Sequence, residues 1–398
     1  MLKERVVQPL FRLLQEMSDS DDVPYVQQES IREEVRAGLQ ASADDATATE
    51  SESTLEAVAP VFSQGSVVES GDCLPLSDPQ DDLVISMGDQ EQRSGEVDRS
   101  KLHLAKEFLK GMKKFTGKLQ RLPQPNIRIC VIDTGLDKSD VLVKGQQKRI
   151  VAEKSWVPSD PTVHDNDGHG THISRLILGN TVSADLLVAK VTNSKTFDRN
   201  SVECIVEAID WAVKHDATII SLSLGFCKDD ERIAGALKAA MQERRFVFAA
   251  AGNWGLNRPR AFPARQKGVF CIYASDGNGF RDSIDPKNEG RSSFTTLGVA
   301  IPSKWKKEDV YVTGTSYAVP IAVSIAATIL AYAKQDPNLK EQDWSLLSSY
   351  QGMCSVFEYL SAEGEHHRFL SPEQLVTKGH GTKEEIQKAI REVLDFGA

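Results

Sequence analysis

Several things are missing from this sequence, and each absence narrows what the chain can be. None of its six cysteines, Cys73, Cys130, Cys204, Cys227, Cys271 and Cys354, belongs to a CxxC pair. Cys130, Cys204 and Cys271 fall inside apolar strand or helix patterns, so the set reads as reduced, mostly buried thiols. A basic excess is also missing. The net charge of -10 and pI near 5.4 argue against a general nucleic-acid binder, so no nucleic-acid partner is expected. The opening Met1-Leu2-Lys3-Glu4-Arg5 leads to no continuous apolar run of the kind a signal peptide needs. The longest apolar stretch, Ala318–Ala331, is interrupted by Pro320 and Ser324 and is too short to span a bilayer. A cytoplasmic chain with no membrane segment is the resulting expectation. No internal repeat is present.

What is there is ordinary core-forming material: 398 residues, 40% hydrophobic and 26% charged. Residues 1–40 read as a helical N-terminal segment, with Val6, Leu10, Leu13 and Leu14 near a helical period. Residues 41–98 are rich in Ser, Asp, Glu, Thr and Gly and nearly lack aromatics. They read as an acidic low-complexity linker, a reading preferred over a cleavage or docking site. Ser100–Leu119 has the pattern of a basic amphipathic helix, with Leu102, Leu104, Phe108, Met112 and Phe115 set among lysines. Membrane-surface binding competes here with packing on the following domain, and packing is preferred.

Residues 99–335 carry a different rhythm. Apolar strand patterns occur at 127–132, 150–157, 185–191, 218–224, 246–251 and 269–274. Helical patterns lie between them at 169–178, 201–214 and 229–244, and a last helix opens at Ser316. Alternating strands and helices predict an α/β fold with a mostly parallel sheet and helices on both faces. The strands are apolar throughout, as a sheet covered on both faces requires. Functional groups in such sheets gather beyond the carboxyl ends of the strands. Residues 336–398 read as a helical C-terminal extension.

The stretch Gly314-Thr315-Ser316-Tyr317-Ala318-Val319-Pro320 joins a strand-like run, Val310–Val312, to the apolar run at 321–333. Gly314 permits the tight turn. Ser316 then stands in the first helical turn, beside free N–H groups and the positive end of the helix dipole. It reads either as a nucleophile or as a capping serine. A nucleophile needs a base and an orienting acid. Asp133, in Val131-Ile132-Asp133-Thr134-Gly135, is a carboxylate at a strand end. His169, in Gly168-His169-Gly170-Thr171-His172, lies between glycines at a helix start. A metal site built from His164, Asp165, Asp167, His169 and His172 is the rival reading. It lacks the i, i+4 histidine spacing of a zinc helix, so no metal is expected. Ala249–Asn253 ends a strand in small residues followed by an amide. There Ala251 and Gly252 let a substrate chain approach the backbone, and Asn253 could donate to an oxyanion or simply make a turn. Ser221, Leu222, Ser223, Leu224 and Gly225 end the neighbouring strand and suggest the opposite wall of one cleft.

Taken in order, VIDTG, GHGTH, SLSLG, AAAGN and GTSYAVP resemble the signature blocks of the subtilisin-like serine proteases, over about residues 125–335. The resemblance implies a three-layer αβα fold, an Asp–His–Ser triad and a protein or peptide substrate. It assigns the acid to Asp133, the general base to His169, the nucleophile to Ser316 and the oxyanion donor to Asn253. Hydrolysis through an acyl-enzyme, without a cofactor, is the implied activity. Calcium sites occur in many members, but no clear acidic ligand loop stands out here. Tyr317 occupies a position where the family often has methionine, which implies a reshaped cleft floor. Residues 1–124 resemble no propeptide of the family. A second reading makes the chain an interaction or signalling module on the same fold, or the effector segment of a larger receptor-like assembly. A second GHGT at Gly379–Thr382 follows the serine, and Thr382 with Glu385 reads as a capping box.

Overall fold

Along the central strands, alternate residues bury themselves in two different cores. Ile129 and Val131 point to one face of the sheet, and Cys130 and Ile132 to the other. Leu186 and Val188 alternate with Leu187 and Ala189 in the same way, as do Phe246 and Phe248 with Val247 and Ala249. A strand apolar on both faces is the pattern that demands helices above and below it. The computed structural model describes residues 89–93, 95–121, 127–194, 199–255, 259–281, 286, 293–363, 368–373 and 382–396. The expectation for residues 1–40 lies outside the described residues.

The strands are β1 (Gln90–Arg93), β2 (Arg128–Asp133), β3 (Ile150–Ser155), β4 (Asp185–Lys190), β5 (Ile219–Leu222), β6 (Phe246–Ala250), β7 (Phe270–Ser275), β8 (Ser293–Leu297), β9 (Ile301–Trp305), β10 (Glu308–Thr313), β11 (Ser361–Glu363) and β12 (Arg368–Leu370). The helices are α1 (Arg99–Thr116), α2 (Val141–Gly145), α3 (His169–Asn180), α4 (Arg199–Lys214), α5 (Glu231–Gln242), α6 (Thr315–Lys334), α7 (Glu341–Leu347), α8 (Tyr350–Leu360) and α9 (Lys383–Phe396). The main sheet has nine strands in the order β11-β12-β8-β7-β6-β5-β2-β4-β3, parallel except for the β11–β12 pair. Residues of α1, α3, α6, α8 and α9 share one core with one face of this sheet. Residues of α4 and α5 share a second core with the opposite face. This is the three-layer α/β architecture the sequence predicts.

Strand β2 is where the strand order reverses, with β4 on one side and β5 on the other. The crevice beyond the carboxyl end of such a strand is the usual place for a site, and Asp133 is its last residue.

The 20-residue α6 passes a length-and-hydropathy test for a bilayer span, but its most apolar window is wholly buried inside the protein. Pro320 and Ser324 do not break it. Pro320 lies near the amino end, and its carbonyl accepts from the Ser324 hydroxyl at 2.7 Å. The basic helix expected at 100–119 is α1, capped by Asp98, which accepts from Ser100 N at 2.8 Å. Its Ala105, Phe108, Met112 and Phe115 are buried in the core shared with α3 and α6.

Two sequence expectations change. The C-terminal extension is not all helical, because β12 joins the main sheet beside β8. A three-residue strand carries too little apolar pattern to be read locally and exists through its pairing. Within the linker expected at 41–98, Gln90–Arg93 form a strand. Strand β1 pairs antiparallel with β10, which pairs with β9 in a separate three-stranded sheet.

Candidate active site

The end of β2 and the start of α3 are tied together by a small hydrogen-bond network. Thr134 Oγ1 accepts from Gly170 N at 2.9 Å and donates to Asp165 Oδ1 at 2.9 Å. Asp165 is buried, and its two oxygens also accept from Asp167 N, Gly168 N, Thr171 N and Thr171 Oγ1 at 2.6–3.1 Å. Burial disfavours the anion, but these donors hold the Asp165 carboxyl below its ordinary range. Its lone pairs are spent on the loop that launches α3. Gly168 begins α3 at φ +109°, a conformation only glycine adopts freely. Gly170 lies so close to Gly135 O that a Cβ there would collide with it.

This scaffold aims His169 at Asp133. The ring Nδ1 lies 2.8 Å from Asp133 Oδ1, which also accepts from Thr134 N at 2.8 Å. Both side chains are buried. Behind the imidazole stands the buried ring of Tyr317, with centroids 5.5 Å apart. Burial, together with the carboxylates of Asp89, Glu91, Asp133 and Asp167, pushes the Tyr317 phenol well above its usual range. His172 is buried, with Nδ1 2.7 Å from Ser303 Oγ.

Strand β10 delivers the third group. It ends at Thr313, turns at Gly314 and enters α6, whose second residue is Ser316. The Ser316 hydroxyl donates to Ser223 O at 3.3 Å, and Ser223 Oγ donates to Ser316 O at 2.7 Å. Asn253 arrives from the end of β6. Its Oδ1 accepts from Thr315 N at 2.8 Å, which turns its NH2 group toward the crevice. Gly252 N donates to Thr315 Oγ1 at 3.2 Å and fixes the two turns to each other.

The structure therefore brings Asp133, His169, Asn253 and Ser316 to one crevice. Ser223 and Gly252 join them through hydrogen bonds to the Thr315–Ser316 turn. The side chains of Leu222, Leu224 and Ala251 lie elsewhere, in the core beneath α4 and α5. Ser221 and Gly225 are buried in the same segment.

One occupant of the crevice has no sequence signal at all. The buried Asp89 carboxylate sits between His169 and Asn253. Its Oδ2 lies 3.0 Å from His169 Nε2, and its Oδ1 accepts from Asn253 Nδ2 at 2.7 Å. The same oxygen fills the space where a Cβ on Gly314 would stand. Burial disfavours a charged imidazole, but Asp133 and Asp89, one at each ring nitrogen, outweigh it and raise His169 to about 10.

Comparison with known proteins places this arrangement. The sequence profile of the subtilase family, Peptidase_S8, matches residues 124–352. A thermostable alkaline protease of Halalkalibacterium halodurans is 31% identical over 244 residues, covering 58% of this chain and 64% of that protein. Subtilisin BL of Lederbergia lenta is 28% identical over 214 residues, covering 51% of this chain and 76% of that protein. Among solved structures, a mutant of the protease domain of PatA superposes with a TM-score of 0.55 at 19% identity, over 71% of this chain and 99% of that one. The prenylagaramide maturation protease PagA superposes with a TM-score of 0.52 at 18% identity, over 71% and 98%. At such identities the structures speak for the fold alone. The profile spans more than half of the chain and contains the four residues that converge in the crevice, so this protein belongs to the subtilase family.

Proposed function

We propose that the chain is a serine endopeptidase in which Ser316 is the nucleophile, His169 the general base, Asp133 its orienting acid and Asn253 an oxyanion donor. The observation that carries this reading is the convergence of His169 Nε2 and Asn253 Nδ2 on the two oxygens of one carboxylate, beside the Gly314–Ser316 turn. A carboxylate there stands in for the reacting carbonyl carbon and its oxygens. The same two groups would flank a peptide carbonyl under attack.

The chemistry follows from the geometry. Rotation about χ1 moves the Ser316 hydroxyl from Ser223 O toward His169. A neutral His169 accepts its proton as the oxygen attacks. Asp133 at Nδ1 keeps the free lone pair on Nε2 and stabilises the imidazolium that forms. The Asn253 amide, fixed by Thr315 N, donates to the developing oxyanion, as does the Ser316 N–H. The imidazolium then protonates the leaving amine, and water releases the acyl group. The substrate class is a polypeptide able to lie beside the Ser223 and Gly252 backbone.

A fluorophosphonate probe tests the reading, because it labels an activated serine without knowledge of the substrate. Peptide mapping is expected to place the label on Ser316, and Ser316→Ala should abolish it while the thermal melt stays close to wild type. Labelling retained in Ser316→Ala would contradict the assignment.

A further inference from the structure

We propose that Asp89 and strand β1 form a built-in pseudo-product that holds this active site closed. The inference rests on the endopeptidase reading above and concerns how that site is restrained.

Direction and register come first. Strand β1 runs antiparallel to β10, with Gln90 opposite Thr313, Glu91 opposite Val312 and Arg93 opposite Val310. The chain thus reaches the crevice at Asp89, and its following residues run away along the strand that leads to Ser316. Residues that follow the reacting position in a bound polypeptide are those on the leaving-amine side. Strand β1 therefore fills that half of the cleft by strand addition to an edge, the mode extended peptides use on exposed sheet edges. A second tie lies two residues beyond Asp89, where the Glu91 carboxylate is 3.5 Å from His172 Nε2.

The group in the reacting position is a side chain. The Asp89 carboxylate, rather than a main-chain carbonyl, takes the Asn253 amide and faces His169. A carboxylate is what a cleaved acyl group leaves behind, and it offers no scissile bond. The segment binds as product does while the chain stays intact.

The contact also disarms the chemistry. With carboxylates at both ring nitrogens, His169 holds its proton to about pH 10 and cannot act as a base at neutral pH. The groups facing the ring are Asp133 from β2, Asp89 ahead of β1 and Tyr317 from α6, and Asp167 accepts from the His169 main-chain N–H at 3.3 Å. Removing Asp89 leaves one carboxylate on the ring instead of two. The proton then leaves at lower pH, and Nε2 opens to Ser316.

The lock is built to release. Strand β1 has four residues, three of them exposed, and forms only one edge of a small sheet. Its hold depends on the buried carboxylate and on tethering, which keeps a weak ligand at high local concentration. A displaced β1 would leave the β10 edge free for a substrate strand.

The test compares wild type, Asp89→Ala and Asp89→Asn, all as the full chain, by the rate of fluorophosphonate labelling at Ser316. Loss of hydrogen bonds between charged partners predicts labelling faster by about ten- to a hundredfold in both variants at pH 7. The wild-type rate should climb as pH rises toward about 10, whereas the variants should reach their plateau at lower pH. Asp89→Asn keeps the shape without the charge, so it decides the matter if Asp89→Ala melts early. Equal rates and equal pH profiles, with label on Ser316 throughout, would overturn the lock and leave the endopeptidase reading standing. Spontaneous cleavage beside Asp89 in wild type, seen by intact mass, would also overturn it, since the segment would then be a substrate. No label in any folded variant would remove the endopeptidase reading, and the lock with it.

Discussion

Asn253 shows how a residue type legible in the sequence acquires a direction only in the fold. Strand-end position and small neighbours mark it as either an oxyanion donor or a turn residue. The structure adds that Thr315 N, on the turn before Ser316, fixes its Oδ1 at 2.8 Å and so commits Nδ2 to the crevice. Its effect should therefore appear in turnover. In an Asp89→Ala background, where the crevice is open, Asn253→Ala should lower kcat far more than it raises KM. In subtilisin, the loss of such a side-chain donor costs about 10²–10³ in kcat, and a similar loss is expected here. Asn253→Asp should be worse, because an ionised carboxylate cannot donate and repels the oxyanion. Near-normal kcat in Asn253→Asp, corrected for folded fraction, would return Asn253 to the role of a turn residue. Asp89 is the opposite case. Nothing in Asp89-Gln90-Glu91-Gln92-Arg93 distinguishes it from the acidic run before it. Its significance depends entirely on residues between 80 and 164 positions away in the sequence.

At the scale of elements, the strands and helices that build the sheet follow the apolar periods closely. The run read at 127–132 is β2 at Arg128–Asp133, and the helix read at 229–244 is α5 at Glu231–Gln242. Caps sharpen such ends: Asp230 accepts from Arg232 N and Ile233 N at the start of α5. The capping box read at Thr382 and Glu385 is present, with reciprocal bonds of 2.8 and 3.2 Å. What escaped the sequence are elements made by non-local pairing. Strand β8, Ser-Phe-Thr-Thr-Leu, mixes polar and apolar residues yet is buried throughout beside β7. Strands β1 and β12 are short and have no local apolar signature. The loop before α3 was legible as a motif but ambiguous in purpose, because acids and histidines close in sequence suggest a metal. Its burial and donor count assign Asp165 to scaffolding instead. Asp165→Asn should thus cost roughly 1–3 kcal/mol, since an amide NH2 would face the Thr171 N–H and hydroxyl. The same change should slow labelling of Ser316 through a displaced His169. A melt and labelling rate unchanged from wild type would contradict that role.

For the whole molecule, the governing feature is a sheet whose carboxyl edge gathers groups from distant parts of the chain. Asp133 ends β2, Asn253 follows β6 and Ser316 lies in the first turn of α6, which is buried within the core. The helix is apolar on every side because it packs against the sheet, α3 and α9 at once. Its first turn is therefore held in place by the core, which suits the proposed nucleophile Ser316. Onto this rigid centre the chain adds a lightly anchored strand with one buried carboxylate. Strong anchoring of the site and weak anchoring of its cover are what a restrained hydrolase requires. The most direct measurement of the central claim is the intact mass of Asp89→Ala during turnover of an activated ester. The account predicts a burst of one product per chain and a single acyl adduct, which mapping places on Ser316. Steady hydrolysis with no covalent adduct, or an adduct on another residue, would contradict it.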